Sequence, residues 1–266
     1  MTIPLAEVAA PALDPRAPRR VRHQPRRRAL TVKAVEPIAA HMIRVTLTGD
    51  LEGFLSLGFD DHVKLFFPDG TTAADGAPGM LGRDFTPRRH DPAANTLEID
   101  FAIHDAGPAT RWAAQARPGQ DLSLGGPRGS FIIPTDFDWH LLIGDETGLP
   151  AISRRLTELP TGARVVVIGE IDGADDELTF DTAADLTVTW AYRRGETAGA
   201  SDALPRALAQ LKAPAGDFYA WVACESLTAK DLRRQLIADH GANPKWLRAA
   251  GYWRWGATAI HDMHDS

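Results

Sequence analysis

Near residues 133–138 the spacing of apolar residues changes, and that change divides the chain. Before it, short segments rich in Val, Leu, Thr and Phe recur at residues 29–35, 42–48, 61–67, 97–103 and 121–124, with a further strand ending at Phe85. Gly49-Asp50, Pro68-Asp69-Gly70, Pro118-Gly119 and Gly125-Gly126-Pro127 punctuate them. Residues 71–81 read as a flexible loop and residues 110–116 as a short helix. This many strands with so little helix fits a small antiparallel barrel. After the change, residues 140–144 and 164–169 are continuous apolar runs, as in strands buried on both faces. Further strands are expected at 186–192 and 217–223, and helices at 150–158, 202–211 and 228–240. That order implies an open, mostly parallel α/β sheet. The fold class expected is therefore an N-terminal antiparallel β-barrel followed by an open α/β domain of the nucleotide-binding kind. No internal repeat is visible.

Charge is distributed as unevenly as pattern. The net charge is −6, yet residues 1–28 carry seven Arg against Glu7 and Asp14, leaving −11 on the rest. Residues 1–20 have no periodicity and read as a disordered basic tail. The acidic body, with no aromatic interleaved among the arginines, argues against nucleic acid as a partner. No apolar run is long enough to insert in a membrane. The single cysteine, Cys224, excludes an internal disulfide and fits a cytoplasmic protein, expected as a monomer.

The residues that can carry chemistry cluster between Gly82 and Ser130. Arg83-Asp84-Phe85-Thr86 offers a cation for phosphate, a ring for stacking and a hydroxyl. Asp100, Phe101, Ala102 and His104 follow on the next strand. Gly107, Pro108, Ala109 and Thr110 form a small-residue turn before a helix, where backbone N–H groups can meet a pyrophosphate. Arg83 to Thr86 resembles the Arg-x-Tyr-Thr/Ser flavin motif of the ferredoxin–NADP reductase superfamily. With Asp61-His62-Val63-Lys64-Leu65 upstream and Gly251-Tyr252-Trp253-Arg254 near the end, the run resembles the siderophore-interacting protein family of ferric-siderophore reductases. Phe85 stands where that family usually has Tyr, which keeps stacking and loses a hydroxyl.

The resemblance implies FAD held by residues 21–135, and NADPH or NADH as electron donor bound by residues 136–258, with 259–266 as a flexible tail. Gly144-Asp145-Glu146-Thr147-Gly148 matches the family's Gly-Asp-Glu-Thr turn, so Asp145 and Thr147 are candidates at the flavin and nicotinamide. Trp253 and Trp255 lie in a segment that, in the family, returns to cover the flavin. At the adenosine end, Glu170 favours NADH through ribose hydroxyls, whereas Arg193 and Arg194 favour NADPH through a 2′-phosphate. A ferric siderophore is the implied substrate, with Lys64, Arg128 and Arg254 as cations to attract it. No residue is assigned as a catalytic acid or base, because hydride transfer needs ring overlap and proximity. Cys224 reads as a small buried apolar residue. His261 and His264 read as part of the tail, and no set of residues reads as a metal site. A flavin reductase with a protein acceptor and a non-catalytic siderophore-binding protein are the alternatives.

Overall fold

The computed structural model describes residues 14–72, 78–104, 107–256 and 262–263. The chain runs β1 (Arg19–Arg22), β2 (Arg27–Ala39), β3 (Met42–Gly49), β4 (Val63–Thr72), β5 (Pro78–Phe85), β6 (Arg89–Asp91), β7 (Thr96–Ala102), α1 (Pro108–Ala114), β8 (Asp121–Gly125) and β9 (Gly129–Ile132). Seven of these strands form one antiparallel sheet in the order β5-β4-β8-β2-β3-β7-β6, while β1 and β9 pair separately. Alternation decides which side chains go inside. On β4, Val63, Leu65 and Phe67 are buried while Lys64 and Phe66 are half-exposed. Helix α1 packs on β4 near one end of the sheet order and on β3 and β7 near the other. The sheet therefore wraps around one interior, and Trp112 of α1 lies in it beside Phe67 and Phe101. The edge strands β5 and β6 are not hydrogen-bonded to each other, so the barrel is open along that seam.

The second half runs β10 (Trp139–Gly144), α2 (Leu149–Glu158), β11 (Arg164–Ile171), β12 (Asp185–Tyr192), α3 (Ala203–Ala209), β13 (Phe218–Glu225), α4 (Ser226–Asp239), β14 (Leu247–Trp253) and β15 (Asp262–Met263). The order across the sheet is β12-β11-β10-β13-β14-β15, parallel except for β15. Leu141, Ile143, Val166 and Ile168 face α3 and α4. Leu142, Val165, Val167 and Trp221 face α2, together with Met42, Phe59 and Ile133 from the first half. One apolar cluster thus spans the junction of the two parts. None of the described helices is long and apolar enough to cross a membrane.

Five expectations need correction. Residues 14–20 are ordered: the Trp246 indole N–H donates to Asp14 at 2.9 Å, and the Arg16 guanidinium lies over Phe137 and Trp246 while pairing with Asp217 at 2.9 Å. Residues 71–81 are not one loop, because β4 and β5 extend into it as a hairpin and residues 73–77 lie outside the described region. Residues 247–253, expected only as part of a segment returning over the flavin, form a buried parallel strand, hidden in the sequence by its small Ala249-Ala250-Gly251 centre. Asp262–Met263 pair with β14 where a free tail is expected; His261 and His264 lie outside the described residues. Helix α1 also begins two residues early, at Pro108, since proline suits a first helical turn.

Polar bridges join the halves. Arg154 of α2 donates to Ser56 Oγ (2.8 Å), Ser56 O (3.0 Å) and Pro87 O (2.9 Å) across the junction. Arg248 of β14 pairs with buried Asp60 at 2.6 Å, which also accepts from the Trp221 indole. His41 binds Asp176, whose carboxylate raises the pKa of the imidazole.

Candidate flavin and nicotinamide site

Strand order reverses between β10 and β13, and in open parallel sheets the crevice beyond the carboxyl ends at such a point is where ligands bind. Two glycines make this crevice. A Cβ on Gly144 would lie 3.0 Å from the Ala223 carbonyl oxygen, and one on Gly148 would lie 2.5 Å from it. The turn from β10 into α2 therefore presses against the backbone of β13, and only glycine fits at 148.

Around this contact the carboxyl ends gather Asp145, Glu146, Glu170, Arg193, Cys224 and Glu225. Asp145 accepts from the Thr147 backbone N–H (2.9 Å), the Thr147 hydroxyl (2.5 Å) and the Trp253 indole (2.7 Å). Burial first, and then the Glu146 charge, raise its pKa to about 6, against these hydrogen bonds. Trp253 is gripped further, since a Cβ on Gly199 would meet its ring at 2.7 Å. Glu225 caps α4 by accepting from Leu227 N at 2.7 Å and Thr228 N at 3.0 Å. Burial, followed by the Asp145, Glu170 and Glu225 charges, keeps the Cys224 thiol protonated well above its ordinary range. That agrees with the reading of Cys224 as a buried apolar group.

Arg193 departs from expectation. It is 8% exposed and pairs with Glu146 and, at 3.4 Å, with Glu170. The two competing adenosine-end hints, Glu170 and Arg193, thus satisfy each other in the interior. A basic side chain beside a buried carboxylate in a low-dielectric site pairs with it before it meets solvent. Only Arg194 remains exposed, with a left-handed φ of 55°.

Burial first, and then the Asp145 charge, raise the Glu170 pKa to about 7. The folded state therefore holds this proton more tightly than the unfolded chain, and Glu170 destabilises the fold progressively as pH rises from about 4.5 to about 7. We expect Glu170→Gln to gain on the order of 2 kcal/mol of stability relative to the wild type between pH 4.5 and pH 8. Urea unfolding of both proteins at the two pH values measures this. Parallel curves would show that Glu170 does not titrate in that window.

Opposite the crevice lies the end of β5. Phe85 is half-buried against Phe101 (ring centroids 4.5 Å) and Phe67 (5.9 Å). Thr86 is 6% exposed and shares a hydrogen bond with the Tyr252 phenol. Since Tyr252 precedes Trp253, a continuous path runs from Thr86 through Tyr252 and Trp253 to Asp145. Arg83 donates to the neighbouring Gly82 carbonyl and makes no ion pair among the described residues. Gly107 has φ 116°, with open space where a Cβ would stand, and no side chain among the described residues caps α1. Among the described residues, a guanidinium without an ion pair, a helix start without a side-chain cap and a half-covered ring fit a flavin dinucleotide.

Other expected side chains are committed elsewhere. Asp100 is fully covered and holds Arg44 through two bonds of 2.7 and 2.8 Å. Phe101 is 1% exposed in the barrel core. Near a cofactor these two can offer only backbone groups. Ala102 is half-buried and His104 exposed beside them. Lys64 pairs with Asp84 at 2.8 Å, while Arg128, Arg254 and Trp255 are exposed. Lys64 and Arg128 share the rim near Gly125, which is the register partner of Lys64. Arg254 follows β14.

Comparison with known proteins agrees with this geometry. Residues 31–131 match the model of the siderophore-interacting FAD-binding domain, and residues 137–256 that of the siderophore-interacting protein. The chain belongs to the siderophore-interacting protein family. The NADPH-dependent ferric-chelate reductase of Escherichia coli (strain K12) is 39% identical, over 90% of this chain and 97% of that one. Ferric vibriobactin reductase of Vibrio cholerae is 31% identical, over 82% and 86%. The crystal structure of a siderophore utilization protein from T. fusca superposes with a TM-score of 0.84 at 38% identity, covering 92% of this chain and 100% of that one. In this family member, sequence reasoning assigns no role to Glu146, Glu225, Tyr252 or Arg154, although Glu146 and Tyr252 lie inside the motifs it singles out. Arg154 carries a local signal of its own, its i,i+4 spacing to Glu158.

Proposed function

We propose that this protein is an FAD-dependent oxidoreductase that takes electrons from NADPH or NADH and delivers them to the Fe(III) of a ferric siderophore. The observation that carries the reading is the Thr86–Tyr252–Trp253–Asp145 path, which joins the flavin motif to the coenzyme crevice. Bound FAD supplies the exchange of a two-electron donor for one-electron delivery to iron. The chain holds it: Arg83 and the Gly107–Thr110 turn take the pyrophosphate, and Phe85 covers part of the ring system. Gly148 lets the coenzyme approach closely, Asp145 fixes Thr147 and Trp253, and exposed Arg194 favours NADPH through its 2′-phosphate. Lys64, Arg128 and Arg254 attract the anionic chelate. Because Fe(II) binds oxygen chelators more weakly than Fe(III) does, reduction of the chelated Fe(III) releases iron. The protein acts in the cytoplasm, where reduced nicotinamide is available, as a monomer.

A second reading has one observation in its favour: Leu227 and Trp255, 57% and 60% exposed, flank Glu225 as an apolar pair that a protein electron acceptor can cover. Anaerobic visible spectra separate the two. The expected result is yellow protein bleached by NADPH faster than by NADH, then reoxidised by a ferric siderophore with an Fe(II) trap reporting release. Bleaching without reoxidation by any chelate would favour the protein acceptor. Protein that takes up no FAD would overturn both.

A further inference from the structure

The basic segment at the N-terminus is built into the fold. Residues 19–22 form β1, whose partners run from Arg19↔Ile132 to Arg22↔Gly129. The pairing continues beyond it, with His23 N donating to Arg128 O at 2.9 Å and Gly126 N to Arg26 O at 3.2 Å, until Arg27 meets Gly125 in β2 and β8. Residues 19–27 are therefore laid along residues 125–132 as one ribbon. Arg19, Arg20, Arg22, Arg27 and Arg128 are all exposed on it. Among the described residues none of these five makes an ion pair, although Arg16, Arg26 and Arg28 nearby do.

Two of the five are held in place. The Arg27 guanidinium lies 4.1 Å from the Phe66 ring centroid and that of Arg20 lies 5.5 Å from Phe131. Phe66 also lies against Gly125, the register partner of Lys64 on the other side of β8. The ribbon is thus continuous with the rim that carries the flavin motif. Unpaired cations grouped on a protein of net charge −6 have a cost in mutual repulsion that an anionic ligand relieves.

We propose that this arginine ribbon is a docking and steering surface for polyanionic iron chelates, and that it makes the protein favour them over neutral chelates. The inference rests on the ferric-chelate reading and extends it to a charge class of substrate. A nucleic acid fits less well, since Phe66 and Phe131 are covered by arginine and offer no face to bases. A lipid surface fits less well too, since Val21, the one apolar residue of β1, is half-buried.

The test replaces Arg19, Arg20 and Arg22 together by Gln, which leaves the β1 backbone pairing intact. Redox-inert probes are used: a trianionic gallium(III) tris-catecholate and a neutral gallium(III) tris-hydroxamate, titrated by tryptophan fluorescence. At about 20 mM salt the variant should bind the trianion roughly ten-fold more weakly, and the loss should vanish near 0.5 M salt. Binding of the neutral complex should not change. A control with Lys212, Lys230 and Arg234 changed to Gln alters net charge equally on the α/β half, and should affect neither. Equal weakening of both complexes, the same loss in the control, or no loss at low salt would overturn the proposal. So would a wild type that binds no trianion, or a variant that loses only attachment to phosphatidylserine vesicles. Wild-type binding of the trianion without NADPH-driven reduction of its iron counterpart would instead defeat the reductase reading and leave the ribbon standing.

Discussion

Replacing Arg154 with methionine should destabilise the protein by about 3–5 kcal/mol and release its flavin. Arg154 is 9% exposed, and its guanidinium spans the junction between α2 and the barrel. It donates to Ser56 Oγ, Ser56 O and Pro87 O, and to Glu158 at 2.7 Å. Methionine fills much the same volume but makes none of these bonds, so two carbonyls at the junction lose their donor. Pro87 directly follows Thr86. The end of the flavin motif is therefore tied down from the other half of the molecule, and loosening residue 87 should loosen 86 and its bond to Tyr252. The check is the flavin-to-protein absorbance ratio after gel filtration, with the melting temperature beside it. Arg154→Lys separates charge from geometry, because one ammonium cannot reach all four acceptors. It should retain stability better than flavin. A methionine variant that melts normally and keeps its flavin would remove Arg154 from this role.

Both sheets were legible because each follows a simple period. Leu65 and Phe67 alternate with half-exposed neighbours, and Val165 to Ile168 are apolar without interruption because both faces of β11 are covered. What escaped notice are elements whose reasons for existing are not local. Strand β14 has Ala-Ala-Gly at its centre, poor in β-propensity, and is held by pairing to β13 and by α4. A Cβ on Gly251 would strike Ser226 at 2.7 Å, so this weak-looking residue is required by the packing of the α4 start on the strand. Strand β1 escaped for the opposite reason. Three arginines in four residues read as solvated tail, yet exposed cations are compatible with a two-stranded ribbon whose backbone alone is paired.

The site divides along the same line. Motif residues were found where chemistry demands a residue type in order along the chain, as in Arg83, Thr86 and the Gly144–Gly148 turn. Their partners were not, because pairing in space leaves no trace in spacing. Glu170 and Arg193 stand 23 residues apart and meet only because β11 and β12 are neighbours. Asp100 falls within the cofactor run, but its register partner on β3 is Arg44, which claims its carboxylate. A sequence shows which groups are available, and the strand order decides which of them remain free to meet a ligand.

Gly148→Val should be the most damaging single change at the coenzyme crevice. The Cβ alone would stand 2.5 Å from the Ala223 carbonyl oxygen and 3.2 Å from the Gly144 Cα, both backbone atoms that cannot rotate away. Relief requires β10 or the start of α2 to move off β13, at a cost of about 3 kcal/mol or more. That movement shifts Asp145, and with it Thr147 and Trp253, which hang from its carboxylate. The barrel does not contain these strands, and Arg154 lies more than a turn further along α2, so a shift confined to the start of the helix should leave flavin binding largely intact while NADPH-dependent bleaching slows by roughly a hundred-fold, as misplaced reacting groups do. Stopped-flow reduction of the purified variant under nitrogen reads this directly. Dithionite should still bleach it fully, which confirms that flavin is present and reducible. Gly148→Ala brings the same first atom and no more, so it should reproduce most of the defect. Full NADPH reduction of the alanine variant at the wild-type rate would mean that the close approach of Gly148 to β13 has no part in hydride delivery.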